Sequence, residues 1–230
     1  ASRIDKLMAS KGYNDVGGLQ RAAILDAFAA HSNDNDFLNR LYNLVNDKGF
    51  IALDDGNKEI ELINAYSSDS AVATSVDKLI AAPHANDAFD GMLKLMASKG
   101  YNDVGVSQRA AILDAFAAHS NDKGYVDRLL NLVNDEGFIA LDDGEKEINL
   151  LKAYSSNPDF ASDIDKLMAS KGYNDVGGLE RAAILDAVQN HESDNKFFNR
   201  LFNLVNSDGF IALNDGNKDI SLLKAYGSNA

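Results

Sequence analysis

The chain of 230 residues carries a formal net charge of −13, contains no cysteine and is 45% hydrophobic. The absence of cysteine excludes disulfides, thiolate metal sites and cysteine nucleophiles. The acidic balance argues against a nucleic-acid partner, because binding to a phosphate backbone needs basic patches. The hydrophobic content is sufficient for a sizeable core. No apolar stretch approaches the ~18–20 residues of a membrane span, so we expect no membrane insertion.

A segment near the start of the chain recurs twice further along it. Residues 7–16 return at 95–104 and again at 167–176, so the copies are separated by 88 and 72 residues. We interpret 72 residues as the period and assign the extra 16 residues to an insertion between the first two copies. The predicted organisation is repeat 1 at residues 1–70, a linker with the insertion and a short helix at 71–92, repeat 2 at 93–157, and repeat 3 at 158–230.

The first half of a repeat predicts two helices joined by a loop. In repeat 1 an N-terminal apolar stripe predicts the first helix, and Lys11 followed by Gly12 is typical of a helix end with a terminal cation and a C′ glycine. Residues 13–18 are predicted to form a loop, within which Asp15 is a candidate N-cap. The second predicted helix covers residues 19–31.

The second half of a repeat predicts a similar pair. A polar break at residues 32–35 precedes a third helix, whose apolar residues between 37 and 45 have the clearest helical spacing in the chain. The apolar run 50–53 after Gly49 is either a short strand or a buried turn. Residues 54–57 then break the chain and cap a fourth helix.

The insertion predicts two local features. Pro83 should end a short helix that includes residues 76–80, and the first helix of repeat 2 should extend backwards to about Asp87. The predicted fold class is therefore all-α, with three tandem four-helix repeat units of about 72 residues. Such units either fold alone or stack as an array that shares a core.

The second loop of each repeat has part of the pattern of a calcium loop. With Gly49 at position 6 of an EF-hand loop, Ile51 falls at the apolar position 8, Asp55 at position 12 and Leu44 at position 1. The paired helix–loop–helix layout resembles an EF-hand pair, and this resemblance implies Ca²⁺ as a cofactor. The alternative interpretation is helix punctuation around a core plug. The candidate calcium ligands are Asn46, Asp47, Asp54, Asp55, Asn134, Asp135, Asp142, Asp143, Asn206, Asp208 and Asp215.

A tyrosine followed by asparagine and aspartate stands in the first loop of each repeat. Tyrosine supplies contact area at a low cost in entropy, so this triplet is a candidate contact surface. The alternative is a ring that packs over the adjacent helix end. The candidate binding residues are Tyr13, Asn14, Asp15, Tyr101, Asn102, Asp103, Tyr173, Asn174 and Asp175.

Three histidines occupy equivalent positions at the end of the second helix. His31, His119 and His191 either meet around an axis and bind a transition metal, or each lies in a last helical turn where the helix dipole favours it. The second interpretation asks less of the geometry, because a metal site needs all three rings in one place.

The sequence contains none of the motifs of phosphate loops, nucleophile elbows or zinc-protease helices. We therefore expect a non-enzymatic, repeat-built binding or structural protein that presents the same acidic loop surface three times. Its partner would be a protein or glycan surface, or a further copy of the chain. The alternative is a calcium-binding or calcium-responsive protein. The acidity and the near-identity of the copies favour an extracellular or cell-surface location.

Overall fold

The computed structural model describes residues 2–213 and 215–228 of the chain. Within these residues the chain forms helices and connecting turns, with no β-strand. The all-α prediction is confirmed for this part of the chain. No helix in the same residues is long and apolar enough to cross a membrane.

Short helices recur among the longer ones at matching sequence positions. The helices of repeat 1 are α1 (Arg3–Met8), α2 (Lys11–Asp15), α3 (Gly18–Ala30), α4 (Asn35–Val45), α5 (Lys48–Ile51) and α6 (Gly56–Ser68). The next helices are α7 (Ser70–Ala81), α8 (Ala88–Met96), α9 (Lys99–Asp103), α10 (Val106–Ala118), α11 (Lys123–Val133), α12 (Glu136–Ala140) and α13 (Gly144–Ser156). The last helices are α14 (Pro158–Met168), α15 (Lys171–Asn174), α16 (Gly178–Gln189), α17 (Asn195–Val205), α18 (Asp208–Leu213) and α19 (Gly216–Ser228).

Two segments of repeat 1 that the sequence analysis left outside its helices form short helices. Ser10 is the N-cap of α2, and its hydroxyl accepts a hydrogen bond from the Tyr13 amide at 3.4 Å. Asp47 is the N-cap of α5, and its carboxylate accepts from the Gly49 amide at 2.7 Å. A capping side chain satisfies amides at the start of a helix that have no partner within it, so one turn can form without a long apolar stripe. Repeat 1 therefore contains two helices more than the predicted four.

The predicted helix boundaries around α2 are wrong because the capping by Ser10 starts a new helix there. Lys11 and Gly12 begin α2 rather than ending the helix before it. Asp15 ends α2, where it forms a salt bridge with Lys11 at 3.0 Å, and the N-cap of α3 is Gly17. Phe50, predicted in a strand or a buried turn, is indeed fully buried but lies in α5.

The helix boundaries predicted on either side of Pro83 are confirmed, but the helix before Pro83 has 12 residues and is not short. Helix α7 ends at Ala81, two residues before Pro83, which cannot continue a helix. Helix α8 begins at Ala88, with Asp87 as its N-cap. The inserted residues therefore separate two complete helices.

The contacts between helices group the chain into two compact units. The first contains the residues up to Ala97 together with Phe116–Val126, and the second contains Ser98–Ala115 together with the residues from Asp127 onwards. In the first unit α3 packs on α6, α4 on α7, and α5 and α6 on α8. In the second unit α12 packs on α16, α13 on α14, and α16 on α19. Each unit has its own buried apolar core.

A glycine at the start of each of the helices α2, α9 and α15 makes a close backbone contact possible. A Cβ atom at Gly12 would lie 1.8 Å from the carbonyl oxygen of Val45 at the end of α4. The Gly12 amide donates to Asn46 Oδ1 at 3.1 Å across the same contact. The corresponding distances from Gly100 to Val133 and from Gly172 to Val205 are 1.8 and 2.0 Å. These contacts hold the first half of a repeat against its second half.

We expect Gly12→Ala to lower the free energy of unfolding by about 1–3 kcal/mol, because the new methyl group overlaps a backbone carbonyl that cannot rotate away. Gly18→Ala is the matched control, since a Cβ atom there has no neighbour within 4 Å. Chemical denaturation of both variants gives the comparison. Equal stabilities for the two variants would contradict the close-contact explanation.

Candidate functional site

The three tyrosines proposed as contact residues are buried. The exposed fractions of Tyr13, Tyr101 and Tyr173 are 6%, 4% and 0%. They lie in the short helices α2, α9 and α15 rather than in loops, and a guanidinium group lies 5.5 Å from the ring centre of Tyr13. Because the rings are buried, they leave little surface for a partner to contact.

The asparagine and aspartate beside each tyrosine are exposed and locally held. Asn14 Nδ2 donates to the Ser10 carbonyl at 2.8 Å, and the equivalent bonds from Asn102 and Asn174 measure 2.9 Å each. The aspartates that follow face a lysine one turn earlier, in the pairs Lys11–Asp15, Lys99–Asp103 and Lys171–Asp175. Each repeat therefore presents the same small polar surface, and its role in binding stays a prediction.

The candidate calcium ligands in the second loop are largely engaged in capping. Asn46, Asn134 and Asn206 each accept from a glycine amide of the preceding short helix. The side chains that cap a following helix are Asp47, Asp55, Asp135, Asp143 and Asp215. The remaining candidates are Asp208, in the first turn of α18, and Asp54 and Asp142, which have left-handed backbones with φ of 43° and 42°. Among the described residues no group of three acidic or histidine side chains is arranged to hold a metal ion.

Three buried carboxyl groups near the start of α6, α13 and α19 are features that the sequence analysis missed. Glu59, Glu147 and Asp219 are 5%, 2% and 3% exposed. Gln20 Nε2 donates to Glu59 at 3.1 Å, and Gln108 Nε2 donates to Glu147 at 2.9 Å. Each carboxyl lies four residues after a capping aspartate, which is the only sequence signal that marks it.

Burial changes the acidity of these carboxyl groups. Loss of solvent raises the pKa of Glu147 above its ordinary value of 4.5, and the nearby Asp142 and Asp143 add to the rise, while the Gln108 amide opposes it. The pKa of Glu59 is raised for the same first reason. A carboxyl with a raised pKa destabilises the folded state in its charged form.

An aspartate at the N-cap of a short helix is bound differently in the two units. In the second unit Asp135 at the start of α12 accepts from the Tyr173 hydroxyl and lies 3.4 Å from an Arg181 nitrogen. Burial, followed by the charge of Asp135, raises the pKa of Tyr173, which keeps the hydroxyl as a donor. In the first unit Asp47 has the corresponding position, and its Oδ1 lies 3.0 Å from Nε2 of the buried His84 of the insertion.

A tyrosine, an arginine and an aspartate form a recurring cluster. In the second unit Asp165 on α14 accepts from the Tyr154 hydroxyl of α13 at 2.6 Å and from Arg128 at 2.9 Å. In the first unit Asp77 on α7 has the same two kinds of partner, Tyr66 on α6 and Arg40 on α4, at 2.7 and 2.6 Å. Burial raises the pKa of both tyrosines, so both hydroxyls donate at neutral pH. The cluster joins the end of one repeat to the helix that follows it.

Each histidine ring contacts the aromatic ring that follows it in the sequence. His31 and His191 also lie within hydrogen-bond distance of the last helix of their own repeat. His31 Nε2 lies 3.0 Å from the Ser67 carbonyl, and His191 Nε2 lies 2.9 Å from the Gly227 carbonyl. The ring contacts are His31–Phe37, His119–Tyr125 and His191–Phe197, with centroids 3.7, 4.0 and 3.8 Å apart. These contacts give each ring a local structural role.

Comparisons with protein-family models, with curated proteins and with solved structures gave no match.

We expect Glu147→Gln to raise the free energy of unfolding at neutral pH, because the amide has no charge to desolvate and its oxygen still accepts from Gln108. The gain should shrink as the pH falls through the raised pKa, and should vanish below 4.5, where Glu147 is protonated in both folded and unfolded chains. Urea denaturation across this range measures it. The exposed Glu145→Gln on the same helix is the control, and a loss of stability in Glu147→Gln at neutral pH would be the contrary result.

We expect millimolar Ca²⁺ to leave the thermal midpoint unchanged, because most of the candidate ligands already accept hydrogen bonds from backbone amides and no three acidic side chains among the described residues are grouped to hold a metal ion. Melting curves with Ca²⁺ and with a chelator measure this. A midpoint that rises with Ca²⁺ and falls again with chelator would support the calcium alternative instead.

Proposed function

We propose that the chain is a non-enzymatic binding or structural protein, built from three tandem repeats stacked as an array, that presents the same acidic surface three times. The proposed units are the four-helix repeats of the sequence analysis with short helices added between their long ones. The EF-hand-like layout stays an interpretation of the helix order. The proposed setting is extracellular or at a cell surface.

One observation carries this proposal. The exposed asparagine–aspartate pairs at residues 14–15, 102–103 and 174–175 occur in the same local structure, held by the same asparagine bond to the preceding serine carbonyl. A side chain held in this way loses little entropy on binding, so a partner can meet it without a large ordering cost. Three such surfaces on one chain allow avidity, in which weak contacts combine.

The charge of the chain indicates the chemistry of the partner. With 35 acidic against 22 basic residues, the surface attracts cationic groups and repels anionic ones. The three presented aspartates supply one exposed carboxylate per repeat, and a cationic partner would compete for it with the lysine one turn earlier. The proposed partner is therefore a surface with repeated positive groups, such as a basic protein.

We expect the triple variant Asp15→Asn, Asp103→Asn and Asp175→Asn to bind a poly-lysine-coated sensor much more weakly than any single variant. Avidity predicts this pattern, because one lost contact leaves two in place. Each substitution removes only an exposed ion pair worth about 0.3–0.5 kcal/mol, so the fold should persist.

The control removes the same number of charges elsewhere, with one exposed acid in each repeat changed: Asp36→Asn, Asp127→Asn and Glu192→Gln. This control chain should keep most of its binding. If both triple variants lose binding equally, the interaction depends on net charge alone and the proposed surface is wrong.

A further inference from the structure

The junction between repeats 2 and 3 has two parts, both in the second unit. Helix α12 packs on α16, and helix α13 packs on α14. In the first part a Cβ atom at Gly137 would lie 2.5 Å from Arg181, so the two helices touch closely. In the second part the apolar residues Leu150 and Ile164 are completely buried. A salt bridge from Lys146 to Asp186 at 3.0 Å adds an ionic contact.

Helices α18 and α19 carry the equivalent surface, and among the described residues it is exposed. Leu222 on α19 is 38% exposed, whereas its equivalents Leu62 and Leu150 are fully buried. Gly209 on α18 has no atom within 4 Å of a built Cβ, in contrast to Gly137 on α12. The exposed Leu213 ends the same helix. We call the exposed side of α18 and α19 the tail surface.

The first helices of the chain carry the complementary half of the junction, also uncovered. Ile4 and Met8 on α1 are 36% and 46% exposed, whereas Ile164, the equivalent of Ile4, is fully buried on α14. On α3 Ala22 is exposed and Leu25 is half-buried. Their equivalents on α16, Ala182 and Leu185, are 7% and 0% exposed beneath the packed α12. We call the exposed side of α1 and α3 the head surface.

The two surfaces also have the sequences of the two halves of the internal junction. Helix α3 begins GLQRAAILDA where α16 begins GLERAAILDA, and α18 reads DGFIAL where α12 with the next residue reads EGFIAL. The charged partners are also present, since Lys218 and Asp26 are the equivalents of the bridged Lys146 and Asp186. Tyr226 and Asp5 are likewise the equivalents of the bonded Tyr154 and Asp165.

We propose that the tail surface of one copy of the chain binds the head surface of a second copy, with α18 and α19 packed on α3 and α1 as α12 and α13 pack on α16 and α14. A second copy is the proposed occupant because this contact would repeat an interface that the chain already builds between its own helices. Such a contact joins two different surfaces and leaves one of each free on a dimer, so association is not limited to a pair. This inference rests on the stacked repeats of the proposed function.

One position makes this contact weaker than the internal junction. Ser207 stands where Asp135 binds Tyr173 and Arg181, so the equivalent Arg21 would meet a hydroxyl instead of a carboxylate. Aspartate is also a good helix N-cap, so Ser207→Asp keeps the capping role of Ser207 towards Phe210. We expect Ser207→Asp to raise the association constant at least tenfold, in line with a charged hydrogen bond.

The experiment is sedimentation of the 230-residue chain without any partner, at concentrations up to about 1 mM. The mass should rise with concentration from the monomer value of 24.8 kDa without a limit at the dimer. Ile4→Gln blocks the head surface and Leu222→Gln blocks the tail surface, so each variant alone should remain monomeric. A mixture of the two should form a dimer and nothing larger, because one good head and one good tail remain.

The mixture also separates a failed contact from a failed fold, since an unfolded variant cannot dimerise with its counterpart. Leu19→Gln is the matched control, because Leu19 is 77% exposed and its equivalent Leu179 stays 65% exposed beside the internal junction. This control should associate like the unmodified chain. The proposal would be overturned if the chain stayed monomeric even with the Ser207→Asp substitution. It would also be overturned if Ile4→Gln and Leu222→Gln each associated alone as strongly as they do in the mixture. Neither result bears on poly-lysine binding, which is measured separately.

Discussion

The placement of α7 and α14 depends on one partly buried interaction, an aspartate shared by a tyrosine hydroxyl and an arginine. Asp165 on α14 and Asp77 on α7 are each bound in this way. A partly buried carboxylate needs strong donors, since removing one partner leaves a charge without compensation. The tyrosine comes from the helix just before, and the arginine from a helix further back. The cluster therefore sets the position of the joining helix against two others at once.

The insertion shows how the chain keeps this arrangement while adding residues. Helix α7 takes the position against α6 that α14 takes against α13, so the aspartate cluster is retained. The next helix, α8, packs on α5. The N-cap aspartate of α5, Asp47, contacts His84, whereas the N-cap aspartate of α12, Asp135, contacts Tyr173 and Arg181. The same capped helix is thus covered by two different sets of side chains. The short capped helix is packed against another helix in both units, but the side chains that contact its N-cap differ.

Two kinds of surface follow from a repeated unit. The sides of the repeats carry locally held polar groups such as Asn14 and Asp15, whose surroundings within the repeat are the same in each copy. The ends of the chain carry apolar residues such as Ile4 and Leu222, whose equivalents are buried within the chain. The first kind suits contact with a partner of opposite charge, and the second suits contact with another copy. The proposed protein would bind a partner through the first kind of surface and a further copy through the second.

Much of the local structure could be predicted because it depends on near neighbours. Helical spacing located the long helices, Pro83 marked the end of α7, and the turn before α6 was recognised from Asp55 and Gly56. The short helices were missed, since a single capped turn leaves almost no periodic pattern. Gly12 was wrongly assigned to a helix end because the contact that requires a glycine there is not local. It leaves space for the backbone carbonyl of Val45, which is 33 positions away in the sequence.

The sequence by itself determined the repetition, the all-helical class and the acidic charge, because these depend on composition, period and local propensity. The tertiary structure alone decided which side chains face inward. It buried Tyr13 and its equivalents, withdrew Glu147 from water, and placed Asp135 between Tyr173 and Arg181. It also left Leu222 exposed where Leu150 is buried. Near-identical segments differ in this way because burial depends on what packs against a helix, and that information lies outside the segment itself.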